Sequence, residues 1–427
     1  MPTARAPFQT LRREIAGIPV ADLVDRFGTP TYVYDAAVIA QRVADLKAFD
    51  VVRYAQKANS NLAVVDFVRR QGVMVDAVSA GEINRALAAG YEPQGTPPPI
   101  VYTADIFDRE ALETVANLGI HVNCGSPDML DQLGERAGGQ SITLRINPGF
   151  GHGHSRKTNT GGESSKHGIW HEDLDDCLGR AKRWGHTITG LHMHIGSGTD
   201  LEHLAQVCGA MEQQALKVGE TIDTISAGGG LPTPYREGDK YVDIAAYYRL
   251  WDESRQRLAQ AFGHDVRLEI EPGRYLTAES GYLIAEIRAI KEMGGNTFYL
   301  LDAGFNNLAR PILYGAYHPM SVCPMRDTGS DLPERDVVVG GPLCESGDIF
   351  TQEEGGFVCT RRLPQAQVGD LLILECAGAY GFVMASNYNS KPLAAEVMID
   401  LNGAAHLIRE RQTFADLIRG EHLLPAI

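Results

Sequence analysis

The sequence predicts an α/β protein in which a (β/α)8 barrel is followed by a separate all-β domain. Short β-rich segments alternate with amphipathic segments between residues 51 and 271, and this unit occurs eight times. After about residue 285, strand-like segments are separated by turns instead of long helices. Strand–helix alternation implies parallel pairing, and eight units suit a barrel of about 250 residues. Periodicity alone leaves a doubly wound open sheet as the structural alternative.

The eight predicted barrel strands are rich in β-branched residues, and most are separated by helix-like segments, several of which end in Gly. Two connections, 147–168 and 230–243, are longer than a simple connection requires. Long loops at the carboxyl ends of barrel strands usually carry specificity, so we expect the functional site there. The predicted strands are 51–56, 73–79, 100–104, 121–124, 141–147, 187–195, 221–227 and 266–271.

Strand-like segments dominate the last third of the chain and predict an all-β domain. They are TFYLLDAG, DVVVGGPL, GFVCTRRL, DLLILECAGAY, AEVMID and AAHLIRE. The segment GTPTYVYD (28–35) precedes the barrel, and we expect it to pair with this later domain. The expected division is an N-terminal segment (1–35) that packs with the β-domain, a barrel (36–285) and the C-terminal β-domain (286–427).

The composition describes a cytoplasmic globular protein with more than one domain. The chain has 427 residues, of which 44% are hydrophobic and 22% charged, and its net charge of −15 argues against nucleic acid or an anionic membrane as partner. Seven scattered cysteines without a C-x-x-C spacing suit reduced thiols. The N-terminus lacks a signal-like apolar segment, and the longest apolar stretch (371–385) is interrupted by Glu375 and too short for a bilayer.

Unusual residues occur at the predicted carboxyl ends of the barrel strands, where barrel enzymes keep their active sites. They are Lys57 after the first strand, Asp76 and Ser79 at the second, His194 and GSG (196–198) at the sixth, GGG (228–230) at the seventh and EPGR (271–274) at the eighth.

The glycine triplet 228–230 and Arg274 predict a phosphate site between the last two strand ends. Glycines let backbone N–H groups approach an anion, and arginine adds a charged fork. A tight turn is the usual meaning of a lone glycine triplet, but an arginine at the next strand end favours the phosphate.

Lys57 shares this rim with the predicted phosphate site. A lysine that extends into solvent from the surface is the alternative, but a lysine facing a phosphorylated cofactor indicates a Schiff base to pyridoxal phosphate. This cofactor needs a carboxylate at its protonated pyridine nitrogen, a position that suits Glu271. Its ring needs a flat neighbour, and His194 suits that position.

The HMH of the sixth strand supports a hypothesis from another class. His192 and His194 lie two apart on a strand and therefore point to the same side, where they would bind a metal with His152 or His154. A metal-dependent barrel hydrolase leaves the glycine triplet and Lys57 without a function, and a structural role for His192 is the better interpretation.

The predicted β-domain carries three further candidates. Cys344 lies in GPLCESGD, which is typical of an exposed loop where a thiol acts as acid or base, although a free cysteine is usually core filler. Arg310 and Tyr314 are four apart and share one face if their segment is helical. Tyr380 lies in a glycine-rich aromatic segment, where core packing would also explain it.

In combination these segments resemble the fold-type III pyridoxal-phosphate-dependent decarboxylases, the ornithine, diaminopimelate and arginine decarboxylase family, and within it the bacterial diaminopimelate decarboxylases. The likeness runs from GTPTYVYD to the region near RERQTFADL. It implies an alanine racemase-like barrel, a β-domain and a homodimer with active sites at the subunit interface, possibly within a higher oligomer. The segments are YAQKANSN, NPGFGHGHSRKTNTGGESSKHGIW, HMHIGSG, SAGGGL, EIEPGRYL, RPILYGAYH, GPLCESGDIF and GAYGFVMASNYNS.

The resemblance implies roles for the candidate residues. Lys57 would form the Schiff base, His194 would stack on the ring, and Glu271 would hold the pyridinium. Cys344 and Glu345 would come from the other subunit, with Cys344 as the acid that protonates Cα after carbon dioxide leaves. The other residues expected around the cofactor are Asp76, Ser197, Gly229, Gly230, Arg274 and Tyr380.

The implied reaction converts meso-2,6-diaminopimelate into L-lysine and carbon dioxide, the last step of lysine biosynthesis. Arg310 and Tyr314 would bind the carboxylate at the far end of the substrate, and Glu345 its ammonium group, with Arg274 and Tyr380 nearby. Ornithine-type relatives need only an acid there.

Two alternatives remain within the resemblance. One is a decarboxylase for ornithine, lysine or carboxynorspermidine, against which Arg310 and Glu345 argue. The other is a non-catalytic relative, which would be expected to lack Lys57 or Cys344, and both are present. One residue departs from the family pattern, because Lys391 stands where the family usually has arginine in NYNSRP. The charge is kept but a bidentate fork is lost.

Overall fold

The computed structural model describes residues 4–151, 161–194, 200–329 and 332–425. The strands in chain order are β1 (Glu14–Ile15), β2 (Ile18–Pro19), β3 (Thr31–Asp35), β4 (Val51–Ala55), β5 (Met74–Ala77), β6 (Ile100–Ala104), β7 (His121–Cys124), β8 (Ser141–Asn147), β9 (Ile169–Trp170), β10 (Thr187–His192), β11 (Thr224–Ser226), β12 (Arg267–Ile270), β13 (Gly281–Met293), β14 (Asn296–Leu301), β15 (Met320–Cys323), β16 (Glu334–Gly340), β17 (Arg361–Pro364), β18 (Leu371–Leu374), β19 (Ala395–Ile399) and β20 (Ala405–Arg409).

The helices in chain order are α1 (Val20–Phe27), α2 (Ala36–Ala44), α3 (Leu62–Arg70), α4 (Ala80–Ala88), α5 (Arg109–Leu118), α6 (Pro127–Ala137), α7 (Leu174–Trp184), α8 (Leu201–Val218), α9 (Ile244–Phe262), α10 (Arg274–Thr277), α11 (Arg310–Tyr314) and α12 (Phe414–Leu417). Among the described residues, no helix combines the length and the apolar character needed to cross a membrane.

The chain divides into two compact units. The barrel unit contains Ala40–Thr233 and Tyr241–Leu276, and the β unit contains Ala4–Ile39, Pro234–Lys240 and Thr277–Ile427. Residue 285, the boundary expected from the sequence, lies inside β13. The division into 1–35, 36–285 and 286–427 stays a prediction.

The barrel unit is built on eight parallel strands, as predicted. β4, β5, β6, β7 and β8 pair in sequence, β10, β11 and β12 continue the sheet, and the pairs β8–β10 and β12–β4 close it. β9 adds a short parallel edge to β8. The structure therefore confirms the barrel and excludes the open sheet, because a doubly wound sheet keeps two unpaired edges.

The predicted strand bounds agree closely with the structure in the middle of the barrel and less well at its end. β6, β7 and β8 have the predicted bounds, whereas β10 ends at His192 instead of residue 195 and β11 begins at Thr224 instead of residue 221. β-rich composition continues beyond the ladder at these positions, so composition alone overestimates strand length.

A buried ion pair joins the two strands at the seam between β4 and β12. Arg53 donates to Glu269 through Nε and Nη2 at 3.1–3.3 Å, and Arg53 is 1% exposed. The third donor group, Nη1, reaches the carbonyl of Pro98 at 2.8 Å. A buried guanidinium needs such partners because an unpaired buried charge is costly.

The β unit has a long central strand, β13, whose second half pairs with β14 and whose first half lies between β3 and β18. The sheet order is β17–β16–β14–β13–β3–β19–β20, and β18 also pairs with β15. β3 runs antiparallel to β13 and parallel to β19. A core of apolar residues lies between these strands and α1: Ile15, Val20, Leu23, Val33, Ile284, Cys323, Leu371, Ile373, Val397 and Ile399.

β13 is absent from the predicted strands. Its sequence GYLIAEIRAIKEM contains many good helix formers, and its second half is partly or fully exposed. Pairing with neighbouring strands overrides this weak local preference.

Candidate active site

Lys57 lies directly after β4, in a three-residue 3-10 turn formed by Gln56–Ala58. Gln56 and Ala58 are buried, while Lys57 between them is exposed. The side-chain amide of Gln56 donates to the carbonyl of Glu82 at 3.0 Å. This anchored turn therefore places a single exposed amine at the end of the first barrel strand.

Glu271 follows β12 at the opposite end of the barrel sequence and is 7% exposed. Its Oε2 lies 2.8 Å from His192 Nε2 on β10, and its Oε1 accepts a hydrogen bond of 2.8 Å from Ser226 on β11. Burial raises the carboxyl pKa, but the charge and hydrogen bond of His192, the Ser226 hydroxyl and the charge of Arg53 together lower it well below its usual range. Glu271 is therefore a buried carboxylate that stays ionised at neutral pH.

His194 is held as a neutral imidazole. The backbone N–H of Gly229 donates to His194 Nδ1 at 2.8 Å, so this nitrogen carries no proton. Burial lowers the His194 pKa well below its usual value, with the charges of Arg145, Lys57 and His192 acting in the same direction. Its ring lies parallel to that of His192, with centroids 6.4 Å apart and 7° between the planes. The site thus contains a flat, uncharged ring whose orientation the β11 loop sets.

The glycine triplet after β11 is required by close backbone contacts. A Cβ on Gly228 would lie 2.6 Å from the carbonyl of Met193, and one on Gly229 would lie 2.5 Å from the carbonyl of Glu271. Gly228 also has φ +62° and Gly230 φ +95°. No side chain fits where this loop passes between the ends of β10 and β12, so the triplet does more than form a tight turn.

A buried acid, Asp76, and a half-buried acid, Glu82, accompany Lys57. Asp76 ends β5 and is 3% exposed, and its Oδ1 has no hydrogen-bond partner among the described residues. Burial raises the Asp76 pKa, the charge of Glu271 adds to this, and Lys57 opposes it. Burial also raises the pKa of Glu82 to about 7, and the charge of Asp76 acts in the same direction. The hydrogen bond that Glu82 accepts from the backbone N–H of Val78 acts in the opposite direction.

The interpretation of the sequence missed Glu82 and the partners of Glu271. Ser79-x-x-Glu82 is a helix-start pattern, and Ser79 does accept from the N–H of Glu82, which marks Glu82 as a residue at this rim. Ser226 lies on β11, next to the strand that Glu271 follows, and His192 lies on β10, one strand further, which only the barrel topology reveals. His192 therefore has the structural role that the sequence favoured, as a partner of a carboxylate.

A polar cavity of about 680 Å³ lies inside the barrel on the side of the amino ends of its strands. It extends from the segments before β6, β7 and β8 up to Ser226 and Glu271, and its lining includes Asn123 and Thr143. The sequence did not predict it. A polar lining beneath Glu271 favours the ionised form of that carboxylate.

The loop with Cys344 belongs to the β unit. Cys344 and Glu345 are both exposed, and the backbone N–H of Cys344 donates to the side-chain oxygen of Asn389 at 2.7 Å. The buried carboxylate of Asp348 accepts from the N–H groups of Leu343 and Phe305 at 2.8 and 2.7 Å, which closes the loop. All seven cysteines are free thiols.

Arg310 and Tyr314 lie at the two ends of the short helix α11, which meets the condition under which their spacing places them on one face. Arg310 is 7% exposed and Tyr314 36% exposed. Tyr380 has a left-handed backbone conformation with φ +56°. A non-glycine residue in this region costs about 1–3 kcal/mol unless its surroundings demand it, and such residues cluster at functional sites.

Of the remaining predicted residues, the structure describes Arg274 but not Ser197, His152 or His154. Arg274 is half-buried and begins α10, three positions after Glu271. Within the described ranges, no group of three or more His, Cys, Asp and Glu side chains suits a metal ion. The roles expected for the site residues stay predictions.

The barrel rim suits pyridoxal phosphate in three respects. Glu271 offers an ionised buried carboxylate to a protonated pyridine nitrogen, His194 offers a neutral flat ring, and Lys57 offers an exposed amine. The loop of Gly229 brings backbone close to these groups without side chains in the way. Fold and rim together are those of a pyridoxal-phosphate enzyme built on a barrel and a β-domain.

Comparisons with known proteins agree with this class. Residues 36–278 match the family model described as pyridoxal-dependent decarboxylase, pyridoxal binding domain. The chain is 55% identical over 400 residues to diaminopimelate decarboxylase of Escherichia coli strain K12, covering 93% of this chain and 94% of that protein. A crystal structure of diaminopimelate decarboxylase is 52% identical, with a TM-score of 0.93, and covers 97% of this chain and 100% of that one.

A more distant solved structure is diaminopimelate decarboxylase from Helicobacter pylori complexed with L-lysine. It is 29% identical with a TM-score of 0.81, and covers 93% of this chain and 98% of that one. This chain therefore belongs to the pyridoxal-dependent decarboxylases, and within them to the diaminopimelate decarboxylase family. Membership does not favour the metal-dependent hydrolase.

Proposed function

We propose that this chain decarboxylates meso-2,6-diaminopimelate to L-lysine, the last step of lysine biosynthesis. The observation that carries the proposal is the buried, ionised Glu271 beside neutral His194, on a barrel rim that also carries Lys57. The 55% identity to diaminopimelate decarboxylase of Escherichia coli supports the choice of substrate. A decarboxylase for ornithine, lysine or carboxynorspermidine is not favoured.

When bound, pyridoxal phosphate supplies an aldehyde that captures the substrate amine and a ring that accepts the electron pair left by departing carbon dioxide. Lys57 would hold the cofactor between turnovers. Glu271 would hold the protonated pyridine nitrogen, because the carboxylate itself stays ionised at neutral pH. The other residues that would surround the cofactor are Asp76, His194, Ser197, Gly229, Gly230, Arg274 and Tyr380.

The substrate carries an amino-acid group at each end, so the enzyme must bind the end that does not react. Arg310 and Tyr314 suit the far carboxylate, and Glu345 suits the far ammonium group, with Arg274 and Tyr380 as further substrate contacts. Guanidinium groups match carboxylates through paired N–H donors. Cys344 would deliver the proton to Cα, and its exposure in the free subunit supports access to a reacting atom.

We further propose that the enzyme is a cytoplasmic homodimer in which Cys344 and Glu345 complete the site of the other subunit. Seven free thiols support a reducing compartment. The net charge of −15 disfavours binding to nucleic acid or to an anionic membrane. The division into an N-terminal segment (1–35), a barrel (36–285) and a β-domain (286–427) belongs to the same proposal.

The test compares carbon dioxide release from meso-diaminopimelate, L-ornithine and L-lysine by the purified holoenzyme. We expect release from meso-diaminopimelate to dominate, because only this substrate presents a carboxylate and an ammonium group at its far end after the reacting end is bound. Lys57→Ala is expected to abolish the cofactor's absorption band near the visible edge. Comparable rates on all three substrates would contradict the narrow substrate assignment, and activity that depends on a chelatable metal would contradict the class.

A further inference from the structure

His318 is a buried histidine that contacts a predicted substrate-binding residue. It lies two positions before β15 and is 0% exposed. Its Nδ1 is 3.0 Å from the carbonyl oxygen of Glu375, and its Nε2 is 2.9 Å from Nη1 of Arg310. No role for His318 follows from the sequence motifs.

These two contacts determine the protonation of the ring. A carbonyl oxygen only accepts hydrogen bonds, so Nδ1 must carry a proton. A guanidinium group only donates, so Nε2 must present its lone pair. A doubly protonated His318 would turn an N–H toward the N–H of Arg310. The geometry therefore requires the neutral tautomer with its proton on Nδ1.

The carbonyl that orients His318 is itself fixed by the sheet. Glu375 follows β18, and its N–H donates to the carbonyl of Pro319 at 2.8 Å. The Glu375 carboxylate accepts from Arg12 at 2.8 and 3.1 Å and from Ser321 at 2.9 Å. His318 is thus attached to the β15–β18 ladder and has little freedom to rotate.

Arg310 has an aromatic neighbour in addition to this acceptor. The Arg310 guanidinium carbon lies 4.9 Å from the ring centroid of Tyr235, and the Tyr235 ring meets the His318 ring edge-on at 5.6 Å and 78°. Neither neighbour carries a negative charge. His318 and Tyr235 therefore contact the guanidinium without adding a negative charge of their own.

We propose that His318 is a positioning residue that sets the rotation of the Arg310 guanidinium for the far carboxylate of the substrate. The proposal rests on the proposed function, which assigns that carboxylate to Arg310. A planar guanidinium binds a carboxylate well only when its N–H groups point in the right directions. The hydrogen bond at Nη1 restricts these directions, and Arg310 begins the five-residue helix α11.

Two variants of the full-length holoenzyme separate the two hydrogen bonds of His318. In His318→Gln the side-chain oxygen replaces Nε2 as acceptor for Arg310, whereas His318→Asn keeps a donor for Glu375 but does not reach Arg310. We expect His318→Asn to raise KM for meso-diaminopimelate about 10-fold or more, since a hydrogen bond to a charged group contributes about 1.5–3 kcal/mol. We expect kcat to change less than about threefold, and His318→Gln to restore KM to within about threefold.

A matched pair of ligands separates positioning from general damage. L-Lysine retains the carboxylate proposed to bind Arg310, and 1,5-diaminopentane is the same molecule without it. In His318→Asn the inhibition constant of L-lysine is expected to rise with KM, while that of 1,5-diaminopentane stays within about twofold. Equal weakening of both ligands would show a merely structural role and overturn the proposal.

Arg310→Gln distinguishes failure of this inference from failure of the proposed function. If Arg310→Gln leaves KM unchanged, the assignment of Arg310 to the far carboxylate is wrong. If Arg310→Gln raises KM and His318→Asn does not, only the role of His318 is wrong. In the double variant, His318→Asn should raise KM less than about twofold above that of Arg310→Gln, because His318 acts through Arg310. His318→Leu serves as the second deletion variant if His318→Asn does not fold.

Discussion

At the scale of single residues, hydrogen-bond partners and burial together decide which carboxylates in the barrel are charged. Glu271 and Asp76 are both buried, yet the pKa of Glu271 is lowered and that of Asp76 is raised. Glu271 has His192 and Ser226 as hydrogen-bond partners, whereas Oδ1 of Asp76 has none among the described residues. Glu271 therefore holds its negative charge more firmly than Asp76, which takes up a proton at a higher pH.

The charge of Glu271 can be removed with almost no change in shape. Glu271→Gln keeps an acceptor for one of its two partners but cannot balance a protonated pyridine nitrogen. We expect kcat to fall on the order of 10²-fold or more, as for other preorganised charges at a reacting centre. Steady-state kinetics at equal cofactor content measure this loss. A kcat within about threefold of the native value would contradict the role of the carboxylate.

The raised pKa of Glu82 predicts that the free energy of unfolding depends on pH. Its pKa is 4.5 in the unfolded chain and about 7 in the folded protein, so the folded state binds the proton more tightly. The resulting stabilisation is complete below pH 4.5 and is lost as the pH rises through 7. At about 1.4 kcal/mol per pKa unit, the loss amounts to at most about 3.5 kcal/mol. Glu82→Gln should remove this part of the decline between pH 5 and pH 8.

Chemical unfolding of both proteins at pH 5, 6, 7 and 8 measures that difference. Glu113→Gln is the matched control, because Glu113 on α5 is exposed and pairs with Arg136 at the surface. Its unfolding free energy should follow the native pH dependence. If Glu82→Gln and the native chain lose stability in parallel, Glu82 does not titrate in this range.

At the scale of elements, the carboxyl ends of β10, β11 and β12 act as one structure. Glu271 follows β12 and contacts one side chain from β10 and one from β11, while the glycine loop after β11 contacts His194 and the backbone of Glu271. Each strand end is therefore held by the other two. Parallel neighbours bring these groups together although they are far apart in sequence.

The glycine loop offers a direct test of this arrangement. Gly229→Ala places a Cβ 2.5 Å from the carbonyl of Glu271, so the loop must move away from His194 and Glu271. We expect a cost of about 1–3 kcal/mol and a cofactor dissociation constant raised about 10-fold or more. Absorbance titration with pyridoxal phosphate measures the binding.

Gly209→Ala is the control for the same chemical change. Gly209 lies in α8 with nothing within 4 Å of an added Cβ, and alanine favours a helix by about 1 kcal/mol over glycine. This variant should bind the cofactor as the native chain does and be slightly more stable. Equal affinities of the two alanine variants would refute the close-contact argument.

At the scale of the whole molecule, the proposed homodimer makes a prediction about mixed subunits. If Lys57 and Cys344 of one site come from different chains, neither Lys57→Ala nor Cys344→Ala should be active alone. Mixing and reassembly in equal amounts makes about half of the dimers heterodimers, each with one intact site of two. We therefore expect about a quarter of native activity to return.

Activity measured before and after reassembly of the two variants tests this prediction. Two copies of the same variant, treated in parallel, control for recovery during reassembly. If mixing restores no activity while native mass spectrometry shows heterodimers, each site uses Lys57 and Cys344 of a single chain, and the shared-site proposal is wrong.

Much of the fold was predictable because barrels leave a periodic signal. Eight strand–helix units predicted the closed sheet, and the strand ends marked Lys57, His194 and Glu271 for chemistry. β13 was missed because its sequence favours a helix locally and is a strand only through pairing. Glu82 and His318 were missed because they are significant only through contacts with residues distant in sequence or across a turn.

The sequence by itself determined the class of the protein: its barrel, its family, and an amine, a carboxylate and a glycine triplet at strand ends. The family follows from the resemblance of whole motifs, and the barrel and the strand-end residues follow from periodicity and glycine clusters together with that resemblance. Only the tertiary structure decided which of these groups are charged. The pKa of Glu271 depends on His192 and Ser226, and the tautomer of His318 depends on Arg310 and Glu375. Ionisation is set by distances between groups, and the folded chain alone defines those distances.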